Sequence, residues 1–211
     1  HKIYAIEKDE RAIKAADLLK DWYGERFEIL NADALTIDTT RFAMPGKHLK
    51  IVANLPYNIS TTLLISWLHQ VKSFDCFVLM FQKEVADRIC AAPGDMSLLA
   101  LSVQVYGQPR VVAIIPAGAF YPAPKVDSAV VRIDLSPAPF IPYTLLNVFF
   151  ALAKAGFSQK RKTLRNSLSA GIRKPPAEIE SILRAAGIDP MRRAETLSLE
   201  EWRELTARIK L

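Results

Sequence analysis

Asn54-Leu55-Pro56-Tyr57 is the stretch whose residue types could carry out a reaction. It follows a short apolar run, Ile51-Val52-Ala53, that reads as a buried strand. It precedes an apolar-periodic segment, Thr61 to Leu68, that reads as a helix with Ser60 as its cap. A loop between such elements sits at the carboxyl edge of a sheet, where α/β folds place ligands. The chemistry that suits it is attack by an exocyclic amine. Adenine N6 is a poor nucleophile because its lone pair is delocalised into the ring. The Asn54 side-chain oxygen and the Leu55 carbonyl, both accepting from that amino group, would draw the lone pair back onto nitrogen. Pro56 fixes its own φ and pushes Leu55 into an extended conformation, which holds that carbonyl in place. Tyr57 supplies a flat face for the base. Read as four residues alone, the stretch is equally a strand-to-helix turn.

The stretch resembles the (N/D/S)-(P/I/L)-P-(Y/F/W) loop of S-adenosylmethionine-dependent amino methyltransferases. The following Asn58-Ile59-Ser60-Thr61 narrows the likeness to the ribosomal RNA adenine dimethyltransferases, the KsgA-like and Erm-like enzymes. Three further segments are similar to KsgA-like signatures, in chain order: Gln82 to Ile89 to Q-K-E-V-A-x-R-(I/L), Phe120 to Ser128 to F-x-P-x-P-K-V-x-S, and Phe157 to Asn166 to F-x-x-(R/K)-R-K-x-L-x-N. In the second of these, two prolines stiffen a loop that presents Phe120. The resemblance makes Phe120 the second stacking surface for the target base; without it, the ring would be expected to tuck into the core. Holding a base between Tyr57 and Phe120 would offset its extraction from the stack, a few kcal/mol, at about 1–3 kcal/mol per contact. Lys125 in the same loop is a candidate phosphate contact.

The elements that must position these loops alternate strand and helix. Lys2 to Ile6 reads as a strand with Glu7 at its carboxyl end, Arg11 to Trp22 as a helix, and Phe27 to Leu30 as a second strand followed by Asp33. Two successive strands each ending in an acid suit a nucleotide site. The resemblance implies a cofactor site of Glu7, Asp33 and Asn54, with Glu7 on the cofactor ribose and Asp33 accepting from the amino group of its adenine; otherwise each acid is a helix cap or a solvated turn residue. Asp75 to Phe81 is a continuous apolar run expected to be buried on both faces. The helix opening at Gln82 offers a Glu84–Arg88 pair. Ala92 to Asp95 is a turn, read as a mobile loop, before a covering helix from Ser97 to Tyr106. Arg110 to Ile115 and Ser128 to Ile133 are further strands. No glycine-rich turn precedes Glu7, although nucleotide-binding domains of this kind open with one. A sheet without its central strand leaves unpaired backbone groups, so the expectation is a fragment lacking roughly its first 50 residues.

Ser136 to Pro142 is a proline-rich boundary, and helical patterns follow at Tyr143 to Ala155 (ending at Gly156), Ser158 to Ala170, Ala177 to Ala186 and Leu199 to Ile209. The charge changes at that boundary. Residues 1–139 hold 15 Lys and Arg against 15 Asp and Glu, whereas residues 140–211 hold 13 against 7, the whole of the chain's net charge of +6. A basic lobe on a neutral one suits a polyanion held by one part and worked on by the other, or else is a solvated basic helix. No acid lies between Lys154 and Ala177, and Lys160, Arg161, Lys162 and Arg165 are left for phosphate, which positions a nucleic acid without reading it. The chain's 211 residues contain no apolar run of the ~18 needed to span a bilayer and no opening signal segment. Cys76 and Cys90 read as core thiols of a reducing compartment. His1, His48 and His69 are scattered and form no metal-ligand set.

The expected fold class is α/β: a Rossmann-like class I methyltransferase domain over residues 1–139, lacking its first strand and glycine loop, and a small all-α RNA-binding domain over 140–211. The resemblance implies S-adenosylmethionine-dependent N6,N6-dimethylation of two adjacent adenosines in the 3′-terminal hairpin of small-subunit ribosomal RNA, carried out by a cytoplasmic monomer without a metal. Transfer would be an in-line displacement at the methyl carbon. No residue of the motif is a strong general base, and water can take the proton. The alternatives are an Erm-like enzyme acting on large-subunit RNA, a DNA adenine methyltransferase, and a non-catalytic RNA-binding assembly or transcription factor on the same fold. Leu55 and the 160–166 segment favour the KsgA type, and an intact Asn54 argues against a mere binder.

Overall fold

The computed structural model describes residues 2–42, 49–70 and 74–209, apart from the side chain of Thr40. His1 and His48 fall outside them. Strands β1 (Ile3–Glu7) and β2 (Phe27–Asn31) pair in parallel, joined by helix α1 (Glu10–Tyr23). Asp9 caps α1, its carboxylate accepting from the Arg11 N–H. The helical spacing is realised, but no residue of α1 is buried, and Trp22 is 83% exposed. A two-stranded sheet is too narrow to cover the apolar side of a fourteen-residue helix.

Strands β3 (Leu49–Asn54), β4 (Phe74–Gln82), β5 (Gly107–Ile115) and β6 (Ser128–Leu135) form a second sheet in the order β3-β4-β6-β5. β3 and β4 are parallel, and the pairings of β6 with both neighbours are antiparallel. The six strands thus fall in two sheets, and among the described residues no strand joins β1 to β3. β3 is accordingly an edge strand and not a buried one, with Val52 77% exposed. β4 is buried as its unbroken apolar run predicts: Phe77, Leu79 and Phe81 are fully inaccessible.

Helices α2 (Ser60–Leu68), α3 (Lys83–Ile89) and α4 (Leu98–Gln104) cover this sheet. Ser60 is the first helical residue rather than the cap. Its hydroxyl donates back to the Tyr57 carbonyl at 3.1 Å, tightening the preceding turn. Along α3 the ion pair is Lys83–Asp87 at 2.7 Å, one residue ahead of the expected Glu84–Arg88 pair.

The helical lobe comprises α5 (Leu146–Phe157), α6 (Leu164–Ile172), α7 (Pro176–Ala185) and α8 (Leu199–Arg208). Gly156 does not end α5; a Cβ there would lie 2.7 Å from the Trp202 ring, so the glycine admits a buried tryptophan. The segment 158–163 is a turn instead of the first part of a helix. There the chain folds back to α5, and the Leu164 N–H donates to the Arg192 carbonyl at 2.7 Å. One apolar cluster runs from Phe77 and Leu101 under the sheet to Phe149, Leu168 and Trp202 among the helices. The 92–95 turn is not a free loop, because the N–H groups of Gly94 and Met96 both donate to the Glu195 carbonyl. Among the described residues no helix is long and apolar enough to cross a membrane.

Candidate active site

Asn54 is the last residue of β3 and stands in register with Met80 of β4, so the loop that follows leaves the sheet beside a buried apolar neighbour. Leu55 inserts its side chain into the core at 4% exposure, which fixes the backbone that carries its carbonyl. The Ile59 N–H donates to the Pro56 carbonyl at 3.1 Å, closing a turn around Tyr57 and Asn58. The Asn54 side chain is exposed and makes no hydrogen bond with a described residue. Its oxygen is therefore available to an incoming donor.

Tyr57 is half-buried, and its hydroxyl shares a 2.5 Å hydrogen bond with the hydroxyl of fully buried Ser128. Across from it, a 3₁₀ turn at Ala117–Ala119 delivers Phe120, also half-buried, and a loop containing a cis Tyr121–Pro122 peptide. Asn54, Leu55, Pro56, Tyr57, Met80, Phe120, Pro122 and Pro124 line one cleft of about 240 Å³. The structure thus brings together all five residues predicted for the reaction. The cleft is smaller than the ~300–1,000 Å³ of drug-sized sites. It has two aromatic rings, three prolines and one unengaged side-chain amide in its walls. A planar group with an exocyclic donor suits such walls.

Glu7 ends β1, and Asp33 follows β2 by two residues. The Glu7 Oε1 accepts from the N–H groups of Lys8 and Asp9 at 2.8 and 2.9 Å, and Oε2 has no partner among the described residues. Asp33 accepts from the Leu35 N–H at 2.9 Å and pairs with the Lys8 ammonium at 3.1 Å. The Leu35 N–H, and after it Lys8, hold the Asp33 carboxyl below the usual carboxylate range. Register sets the two acids side by side, with Glu7 opposite Asn31. A free carboxylate oxygen at Glu7 suits the hydroxyls of a ribose, and the adjacent charged pair suits a polar heterocycle, so these residues fit a nucleoside-bearing cofactor. Lys8, which ties the two acids together, carried no signal beyond following a strand-end acid.

Lys125 is exposed beyond the cleft, and Tyr121 is fully exposed at the loop tip. Lys160, Arg161 and Lys162 lie together on the 158–163 turn, exposed and without an ion-pair partner among the described residues. Arg165 differs. It lies on α6 and pairs with Glu180 of α7 at 3.0 Å. Sequence reasoning passed over Met80, which looked like any residue of a buried strand, and gave Ser128 no role although it closes the second motif.

Comparison with known proteins gives the family and the fold. The family model described as ribosomal RNA adenine dimethylase matches residues 1–210. A protein named ribosomal RNA small subunit methyltransferase A from Dehalococcoides mccartyi is 42% identical over 205 residues, which are 97% of this chain and 70% of that protein. Its namesake from Desulfitobacterium hafniense is 44% identical over 207 residues, covering 97% of this chain and 73% of the relative. Among solved structures, a dimethyladenosine transferase from Plasmodium falciparum superposes with a TM-score of 0.80 at 24% identity, covering 97% of this chain and 80% of that one. The 23S rRNA methyltransferase ErmE gives 0.73 at 24% identity, covering 98% and 81%. At that identity the two structures establish a shared class I methyltransferase fold.

Proposed function

The chain belongs to the ribosomal RNA adenine dimethylase family, and from that premise we propose that it methylates N6 of two adjacent adenosines, twice each, in the 3′-terminal hairpin of small-subunit ribosomal RNA. It would act as a monomer on immature small subunits in the cytoplasm. Residues 1–139 would carry the chemistry and residues 140–211 would hold the RNA. The observation that carries this reading is the cleft in which Asn54, Leu55, Tyr57 and Phe120 meet, in a chain whose relatives at 42–44% identity bear the small-subunit enzyme's name.

The family depends on S-adenosylmethionine, which when bound supplies an electrophilic methyl group. Glu7 and Asp33 would hold its nucleoside part. The chain's own residues then have three tasks. Tyr57 and Phe120 clasp the extruded adenine by its faces, replacing the stacking lost from the helix. The Asn54 oxygen and Leu55 carbonyl accept from the N6 amino group, localising the lone pair and orienting it for attack. The enclosing prolines and Met80 exclude water from one side of the base, which strengthens those polar contacts. Most of the rate would come from orientation, because no strong general base lines the cleft. The free Lys160, Arg161 and Lys162 would bear on the phosphate backbone and so give affinity without sequence choice.

The test is methyl transfer from labelled S-adenosylmethionine to immature small subunits, with Asn54→Ala alongside. Dimethyladenosine that forms with the wild type and falls by about 10²–10³-fold in the variant supports the reading. Tight subunit binding with no incorporation by either protein would mean a binding factor on this fold.

A further inference from the structure

We propose that Asp127 and Ser128 are positioning residues that set the gap between the two aromatic walls of the cleft; the inference rests on the base-clasping function just described. The two residues sit where three strands end. Ser128 opens β6 and stands opposite Gln82 of β4 on one side and Ile115 of β5 on the other. Its side chain is fully buried, and among the described residues its hydroxyl bonds to the Tyr57 hydroxyl at 2.5 Å.

Asp127 acts on the opposite wall. Its Oδ1 accepts from the Ala117 N–H at 2.9 Å, at the start of the 3₁₀ turn Ala117–Ala119. That turn is closed by the Ala119 N–H on the Pro116 carbonyl at 2.9 Å and the Phe120 N–H on the Ala117 carbonyl at 3.2 Å, so anchoring Ala117 anchors Phe120. The Asp127 carbonyl in turn accepts from the Lys83 N–H at 2.9 Å, fixing the dipeptide to the start of α3. One wall is held by the Ser128 side chain and the other by the Asp127 side chain. Asp127 immediately precedes β6 and is joined to Ser128 by a trans peptide, which holds their Cα atoms ~3.8 Å apart, so the two rings are referenced to one point although they lie on distant loops. The spacing matters because dispersion is short-ranged: a gap wider by 0.5–1 Å already forfeits about a quarter to a half of each contact.

Neither residue touches the base, so the effect should appear in RNA use and not in cofactor binding. The experiment compares full-chain wild type, Ser128→Ala, Asp127→Ala and Asp127→Asn on immature small subunits. A separate probe is a hairpin carrying 2-aminopurine at the target position, which lacks the N6 amine and so reports extrusion alone, its fluorescence rising when the base leaves the stack. Ser128→Ala and Asp127→Ala are expected to lower kcat/KM for RNA about five- to tenfold each and to reduce the fluorescence rise, with unchanged affinity for S-adenosylmethionine. Asp127→Asn keeps the acceptor oxygen and is expected to stay within about twofold of wild type. Tyr57→Phe combined with Ser128→Ala should be no worse than the more impaired single variant, since both remove one bond.

Variants equal to wild type in both assays would overturn the clamp while leaving the methyltransferase reading intact. So would losses that track melting temperature alone and are not rescued in Asp127→Asn. A wild type that neither methylates immature small subunits nor unstacks the 2-aminopurine hairpin would overturn both.

Discussion

The Gly94 N–H donates to the Glu195 carbonyl at 2.8 Å, and the same oxygen accepts from Met96 at 3.2 Å. A turn on the sheet side is thereby latched to the 3₁₀ turn Ala194–Thr196 of the helical lobe. Gly94 reaches this geometry at φ +112°, and a Cβ would meet nothing within 4 Å. Substitution there costs backbone strain without a clash. Gly94→Ala is therefore expected to destabilise the chain by about 1–3 kcal/mol, read as a lower urea midpoint at unchanged m-value. An unchanged midpoint would mean that the latch carries no load.

Asn54 separates activity from stability. Its side chain is exposed and makes no bond with a described residue, so Asn54→Ala should leave the unfolding free energy within about 0.5 kcal/mol of wild type. The same substitution removes the amine acceptor. A melting temperature that fell together with activity would show that the side chain is structural.

The aromatic walls should behave as interchangeable faces and not as polar groups. Phe120→Ala is expected to cost about 1–3 kcal/mol of RNA-dependent transition-state stabilisation, and Phe120→Tyr to be nearly silent. Comparison of kcat/KM for RNA at saturating methyl donor decides it. Equal losses for both substitutions would point to steric fit instead of stacking.

How far the sequence was legible follows the range of each signal. Local patterns placed every strand among the described residues, and the order of the motif loops anticipated that Tyr57 and Phe120 share a cleft. Where a residue's role depends on what packs against it from elsewhere, the reading went astray. Gly156 looked like a helix stop because glycine ends helices, but the tryptophan that requires it lies at position 202. Ser158–Thr163 has helical spacing, yet the chain there turns back to join Leu164 to Arg192. Val52 has the composition of a core residue and lies on an open edge, because edge and interior strands share the same residues. Ser128 is invisible for the same reason: its partner is Tyr57, and no local pattern joins them.

The four basic residues read as one phosphate-binding group should divide into two kinds. Lys160, Arg161 and Lys162 are exposed and unpaired among the described residues. Replacing all three by Ala is expected to weaken RNA binding uniformly across sequences and to flatten the dependence of log K on log salt by about 0.7–0.9 per cation removed. Arg165 is already committed to Glu180, whose carboxyl is held below its usual range first by the Arg184 hydrogen bond and then by Arg165. A depressed carboxylate stabilises the fold above its unfolded pKa of about 4.5 and loses that contribution as pH falls through the folded value. Arg165→Ala should thus raise the Glu180 pKa part of the way back, seen by carboxyl NMR titration, and shrink the stability lost on acidification. Its effect on the salt slope should be well under one unit. A slope change for Arg165→Ala as large as that for Lys162→Ala would place its guanidinium on phosphate in the bound state, with the Glu180 pair broken on binding.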